Sequence, residues 1–240
     1  MIVFAAIAPH GELDDVPELR TAMEELGRRF DAAAPETTVV VTPHNVHVER
    51  HLAVVTAGRV GETSTDRGLA ASLLDALRAD GIPALGVSYG GNDPAEAKMP
   101  VDWGTSVPLS FMAADQIVVV SPARDRPLAE HVRAGAAIVR ATGETRVALV
   151  ASADHGHAHD ADGPYGFDPA AAAYDAQVQA VLRSGRLDFE PLGALVADAK
   201  ADSLWQLLVL QGAVGEEAGV NLLAYAAPTY FGMLCAEVRP

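Results

Sequence analysis

Cysteine is almost absent from the 240 residues. Cys235 stands alone, so no internal disulfide can form, and a reducing, cytoplasmic setting is expected. Basic residues are scarce as well: 17 Lys and Arg against 32 Asp and Glu leave a net charge of −15. The few cations are scattered, whereas phosphate backbones are held by clustered Lys and Arg, so a nucleic-acid partner is excluded. The acidic exterior reads as a soluble, self-repelling surface. No run approaches the roughly 20 apolar residues that a bilayer-spanning helix needs, so no membrane partner is expected. The opening Met-Ile-Val-Phe-Ala-Ala-Ile-Ala lacks a basic leader and reads as a buried strand, not a signal peptide. Repeats, low-complexity blocks and linkers are missing too, and one domain over residues 1–240 is the simplest organisation.

Present instead is an alternation of apolar runs and helical patterns, the mark of a layered α/β fold. Strands are predicted over 2–8, 38–42, 52–56, 84–88, 116–120, 146–153, 222–227 and 232–238. Several are unbroken Val, Ile, Ala and Leu, as expected for strands covered on both faces. Helices are predicted over 16–34, 65–80, 127–141, 169–183 and 203–214. The first puts Leu19, Met23, Leu26 and Phe30 on one face, and the second does the same with Leu69, Leu73, Leu74 and Leu77. Pro127 and Pro169 suit a first helical turn, with Asp168 as a cap. The pattern predicts a three-layer αβα domain around a mixed, largely parallel sheet. The irregular stretches 89–103 and 153–166 follow predicted strands, where layered α/β proteins bind ligands.

Three groups among the eight histidines end hydrophobic strands: Pro9-His10-Gly11, Pro43-His44-Asn45, and Asp154-His155-Gly156-His157. Neighbouring strands lie about 4.8 Å apart, so side chains at their ends can converge on one cation with bonds of about 2 Å. Imidazole suits Fe, Zn, Cu and Ni. One such histidine alone is more often a hydrogen-bonded structural residue; three groups at one edge favour a site. His47, His51 and His131 lack this context and read as surface or helix residues, while His159 fits either description.

These segments carry a resemblance. Pro9-His10 and Thr42-Pro43-His44 resemble the two iron-binding histidine motifs of the class III extradiol ring-cleavage dioxygenases, catalytic B-subunit family, to which Memo-type proteins are related. Ser152-Ala-Asp-His-Gly-His157 is similar to the family's Ser-x-Asp-x-x-His segment, and 102–109 resembles its Asp-His-Gly-Thr-x-x-Pro-Leu element, with Trp103 in place of the histidine. Leu223-Ala-Tyr225 and Gly232-Met233 resemble its C-terminal end, and the order agrees along almost the whole chain. The resemblance implies that His10 and His44 hold Fe(II), with Zn or Mn as alternatives, and that His157 is the catalytic base, which His155 orients or assists. The family's third ligand precedes a helix; counting back from Gly212-Ala213 reaches Ser203, and its neighbour Asp202 becomes the candidate, with Glu12 and Cys235 in reserve. Asp followed by Ser is equally a helix cap. Trp103 and Tyr165 are implied pocket residues, Phe167 beside them.

The implied reaction inserts O2 into a catechol-type or 2-aminophenol-type ring and gives a semialdehyde. Implied partners are a small aromatic substrate and O2, with a homodimer or a small second subunit. Two other classes remain open. Trp103 and the uncertain third ligand fit a Memo-like metal-binding redox or scaffold protein, and the same ligands would serve zinc-dependent hydrolysis. Gly86-Val-Ser88-Tyr-Gly90 spells a serine-hydrolase elbow, but Pro94 and Pro100 leave little room for the helix it needs.

Overall fold

The computed structural model describes residues 1–239. Its elements run β1 (Ile2–Ala8), α1 (Pro17–Ala33), β2 (Thr37–Val41), β3 (Leu52–Val55), β4 (Arg59–Val60), β5 (Thr63–Thr65), α2 (Arg67–Ala79), β6 (Ala84–Val87), β7 (Lys98–Met99) and α3 (Trp103–Leu109). There follow β8 (Gln116–Ser121), α4 (Leu128–Thr142), β9 (Val147–Ser152), α5 (Pro169–Ser184), α6 (Val196–Ala199), α7 (Leu204–Val214), β10 (Gly219–Ala226) and β11 (Met233–Arg239).

The sheet runs β10-β11-β1-β9-β2-β8-β5-β4-β7, with β3 and β6 branching from β8. Its centre, β1-β9-β2-β8, is parallel throughout. β10 and β11 form an antiparallel pair at one edge, and β3 meets β8 antiparallel. The sheet is therefore mixed and largely parallel, as the sequence predicts.

Alternation along the central strands builds the layers. In β1, Ala5 and Ile7 point to one face while Phe4, Ala6 and Ala8 point to the other. In β9, Leu149 and Ala151 divide from Ala148 and Val150 in the same way. The apolar stripe of α1, Leu19-Met23-Leu26-Phe30, covers the second face. Helices α2, α4, α5 and α7 cover the first. Helix α7 has no polar side over most of its length, since Leu204 to Gln211 are all buried. It is sandwiched between β9 and α4. Gly135 and Gly212 let these two helices meet: a Cβ on Gly212 would lie 1.8 Å from the Val132 carbonyl. Parallel strands end on the same rim, so β1, β9, β2 and β8 deliver their next residues to one place.

Among the described residues no helix is long and apolar enough to cross a membrane.

Candidate metal centre

Each strand of the parallel centre ends in a polar residue at that rim. β1 is followed by Pro9-His10, β9 by Ala153-Asp154-His155-Gly156-His157, β2 by Thr42-Pro43-His44, and β8 by Pro122-Ala123-Arg124. β9 lies between β1 and β2, so His10 and His44 come from strands two apart rather than adjacent. They still meet. The Nε2 atoms of His10 and His44 are 2.9 Å apart, with the rings at 86°. Asp202 reaches in from the residues before α7, its Oδ2 3.5 Å from His44 Nε2 and 3.8 Å from His10 Nε2.

The alternative role for Asp202, a cap on α7, is not the one its side chain takes. Ser203 occupies the cap position and makes no side-chain cap bond. Its hydroxyl instead meets His155 Nδ1 at 3.0 Å and the Tyr174 hydroxyl at 2.9 Å. The reserve ligands stand elsewhere: Glu12 is exposed, and Cys235 is buried in the α1-side core with its thiol on the Leu19 carbonyl.

Supporting contacts fix the two rings. His10 Nδ1 is 3.0 Å from Ser152 Oγ, and its backbone N–H donates to Asp154 Oδ1. The loop carrying His44 is tied to α3 through Asp102, whose carboxylate accepts from Thr42 Oγ1, Asn45 Nδ2 and both donors of Thr105. Trp103 lies on the His44 ring at 4.3 Å between centroids. Such partners set tautomer and orientation.

Burial decides the protonation of the cluster. It pushes His10 well below the ordinary imidazole range, with neighbouring His44 adding to the effect. It brings His44 to about 4, where the Arg124 charge acts in the same direction. Both rings are thus neutral at pH 7, and at most one proton lies between the facing nitrogens. Burial also drives Asp154 well above the carboxylate range and raises Asp202 to about 7. Burial thus disfavours the charged form of both partners in the 3.4 Å contact of His10 with Asp154.

This donor set fits a divalent transition metal. The three ligand atoms lie within 4.8 Å of one another, close to the spacing of donors around one ion with bonds of about 2 Å. Asp202 Oδ1 is buried with no hydrogen-bond partner, while its Oδ2 faces both imidazoles, so the protein's own donors leave this buried carboxylate incompletely satisfied. Two imidazoles and one carboxylate leave other coordination positions open, the pattern of non-haem Fe(II) oxygenases.

The cluster forms the floor of a cavity of about 940 Å³. His157 lines it, stacked on Phe231 at 5.3 Å and edge-on to Tyr165 at 6.1 Å. Its Nδ1–H donates to the His155 carbonyl at 2.7 Å. That bond leaves the lone pair on Nε2. Trp103 and Tyr165 line the cavity, whereas Phe167 does not. His155 is wholly buried behind the wall, its pKa lowered to about 4 by burial, and its Nε2 has no partner. His159 is held by Asp175, which also accepts from the Gly156 N–H and the Tyr225 hydroxyl, so it braces the loop bearing His157. His47 is exposed at the cavity edge, and His131 is a buried residue of α4. Ser88 follows the partly exposed strand β6, and the next helix begins only at Trp103, so the elbow geometry is missing.

The sequence named Asp154 and Ser203 without giving either a role of its own, and it did not single out Arg124. Asp154 was visible inside the Asp-His-Gly-His cluster, and Arg124 shares the strand-end position of the histidines; that position was the available signal.

Comparison with known proteins places this geometry among relatives. Protein CA_C1420 of Clostridium acetobutylicum is 22% identical over 197 residues, covering 74% of this chain but only 42% of that protein. The chain thus spans less than half the length of that relative. The solved structure of uncharacterized protein JW3007 from Escherichia coli K12 superposes with a TM-score of 0.63 at 18% identity, covering 98% of this chain and 99% of that one. At that identity the likeness concerns the fold. A family model described as the catalytic LigB subunit of aromatic ring-opening dioxygenase matches residues 6–233. Because that stretch runs from β1 to the first residue of β11, the chain belongs to the LigB family, the class III extradiol dioxygenase catalytic subunits.

Proposed function

We propose that this protein is a non-haem Fe(II)-dependent extradiol dioxygenase that opens a catechol-type or 2-aminophenol-type ring to a semialdehyde. The observation that carries the proposal is the meeting of His10 Nε2, His44 Nε2 and the Asp202 carboxylate on the floor of an aromatic-walled cavity that His157 also faces. In this reading those three residues hold the iron, which when bound acidifies the diol and couples it to O2.

The chain's own residues supply the rest. Ser152 and the Asp102 network hold the His10 and His44 rings. Trp103, Tyr165 and Phe231 offer aromatic faces for a flat ring and exclude water. His157 is neutral at pH 7 because burial lowers its pKa. Its Nε2 takes a diol proton and returns it as the ring opens, while the His155 carbonyl holds the tautomer. Trp103 cannot exchange protons, so this duty falls on His157 and water. His155 acts through Ser203 as a positioning residue rather than on the substrate.

The test is reconstitution without oxygen. One equivalent of Fe(II), oxygen uptake on a panel of catechols and 2-aminophenols, and a coloured ring-opened product are expected. Iron binding without oxygen uptake on any of them would instead favour the Memo-like reading, for which Trp103 is the specific motive. Zinc in anaerobically purified protein, with ester hydrolysis, would favour the hydrolase.

A further inference from the structure

Asp175 stands on α5, 1% exposed, and does not line the cavity. A carboxyl group is costly to bury, and an apolar residue of similar size would ordinarily fill such a place at least as well. What the carboxyl adds is direction. Its Oδ1 accepts from the Gly156 N–H at 2.8 Å, and its Oδ2 meets His159 Nε2 at 2.8 Å and the Tyr225 hydroxyl at 2.7 Å. Two of these partners bracket His157, one residue before it and two after. The third belongs to β10.

The surroundings leave the group no freedom. A Cβ on Gly232 would lie 1.9 Å from Asp175 Oδ2, and one on Gly156 would meet the Ala171 backbone of α5 at 2.8 Å. Both loops therefore press on α5 with no side chain between. They also bond to each other. The His155 N–H donates to the Gly232 carbonyl, the Gly232 N–H to the Gly156 carbonyl, and the His159 N–H to the Tyr230 carbonyl. The second loop carries Tyr230 and Phe231, whose ring centroids lie 5.9 and 5.3 Å from that of His157. Asp175 is thus at the junction of the helix, the loop bearing the base and the aromatic wall.

The base depends on that junction. His157 keeps the Nε2 lone pair free only while its Nδ1–H reaches the His155 carbonyl two residues back. Gly156 lies inside that turn, so its anchorage on Asp175 fixes the turn. Charge acts in the same sense. Burial lowers the proton affinity of His157, with Arg124 and His159 adding to the effect, whereas the bond to the His155 carbonyl and the Asp175 charge oppose it.

We propose that Asp175 is a positioning residue for the base: through Gly156 and His159 it sets the tautomer and the direction of His157. The use made of that base rests on the ring-opening reading; its geometry does not.

The tautomer is the test, because it needs no turnover. In the full chain, labelled with nitrogen-15 at histidine and freed of metal by chelation, the His157 signals are those that His157→Ala removes. The natural protein should show the Nδ1–H form of His157 alone. Asp175→Ala should bring the Nε2–H form to about half or more, since a ring without its carbonyl partner populates both tautomers. Asp175→Asn, which still accepts from the Gly156 N–H, should show both forms with less of the second. Tyr225→Phe takes a bond from the same carboxyl but leaves both loop contacts, so it should lower Tm and leave the tautomer unchanged. Turnover is scored separately on the iron-loaded protein. There Asp175→Ala should lose about tenfold or more in kcat with KM moved less than about threefold, and nothing further in a His157→Ala background. A single Nδ1–H form in Asp175→Ala, an equal loss of it in Tyr225→Phe, or a further loss of turnover in the His157→Ala background would overturn the assignment. Should Asp175→Ala not fold, a single form in Asp175→Asn would do the same. A tautomer that depends on Asp175, without oxygen uptake by the natural protein, would uphold the positioning while removing the dioxygenase reading.

Discussion

At His157 a single hydrogen bond decides what the ring can do. Because Nδ1–H is spent on the His155 carbonyl, Nε2 presents a lone pair to the cavity, and burial keeps it unprotonated at neutral pH. His157→Ala should therefore keep the fold and bind iron as before, yet lose about 10²–10⁴-fold in turnover, the usual worth of a positioned base. Metal analysis beside single-turnover rates checks this, and undiminished turnover would remove His157 from its role. If His10 and His44 hold the metal as proposed, His10→Ala and His44→Ala should each lower metal affinity by more than about 100-fold, since each would remove a ligand rather than a supporting contact. The pH dependence of loading should belong to Asp202. The imidazoles are already neutral near pH 7, whereas burial holds this carboxyl at about 7. A cation must displace that proton below pH 7, so affinity should fall about tenfold per unit as the pH drops and level off above it. Competition with a chelating dye between pH 5.5 and 8.5 measures it; affinity flat across that range would contradict the assignment. At this scale the sequence made the histidines legible because each follows an unbroken apolar run. Arg124 and Asp154 have the same position, but arginine and aspartate at strand ends are too common to stand out until distances are known.

Among the elements, α7 carries the greatest consequence, since Asp202 and Ser203 immediately precede it. Its close approach to α4 depends on Gly212 and Gly135, where an added methyl would meet backbone atoms at 1.8 and 2.0 Å. Alanine ordinarily improves a helix by about 1 kcal/mol over glycine, but here overpacking of about 1–3 kcal/mol opposes and exceeds that gain. Gly212→Ala should thus destabilise the protein and, by shifting α7, also weaken metal binding. Gly68→Ala is the contrast, at an exposed position in the first turn of α2 with only the Asp66 side chain near at 3.5 Å, and should be neutral or slightly stabilising. Denaturant midpoints for the two variants test the difference, and equal midpoints would show that the α4–α7 contact yields. The long helices were readable from their 3.6-residue apolar spacing, and the central strands from their β-branched runs. Two features escaped. Strands β4, β5 and β7 have two or three residues each, too short to show any period. Helix α3, which begins at the last residue of the irregular stretch 89–103, was not predicted because it spans only seven residues, although its cap Asp102, accepting from the Thr105 N–H, was visible in the sequence. The insertion of β9 between β1 and β2 was not readable either, because strand order depends on how helices pack across the sheet, not on local pattern.

For the whole molecule the cluster would act as a clasp if it holds a metal as proposed. His10 follows β1, His44 follows β2 and Asp202 precedes α7, so one cation would join parts of the chain about 190 residues apart in sequence. The unfolded chain offers no such convergence, so a cation bound to the native state stabilises it by mass action, about 2.7 kcal/mol at 100 times the dissociation constant. For a chain of this length each kcal/mol moves Tm by roughly 2–4 °C, so Fe(II) should raise Tm by about 5–10 °C under those conditions. The −15 net charge offers a competing explanation, since any divalent cation relieves repulsion among surface carboxylates. The two effects separate by salt and by stoichiometry. At 0.15 M NaCl the screening length is about 8 Å, so diffuse attraction fades while coordination within the rim persists. Calorimetric scans in that buffer should show a shift that saturates at one equivalent, disappears in His10→Ala, and is not reproduced by an equal concentration of Mg²⁺, which prefers oxygen ligands. A shift that survives His10→Ala would transfer the stabilisation from the clasp to the acidic surface.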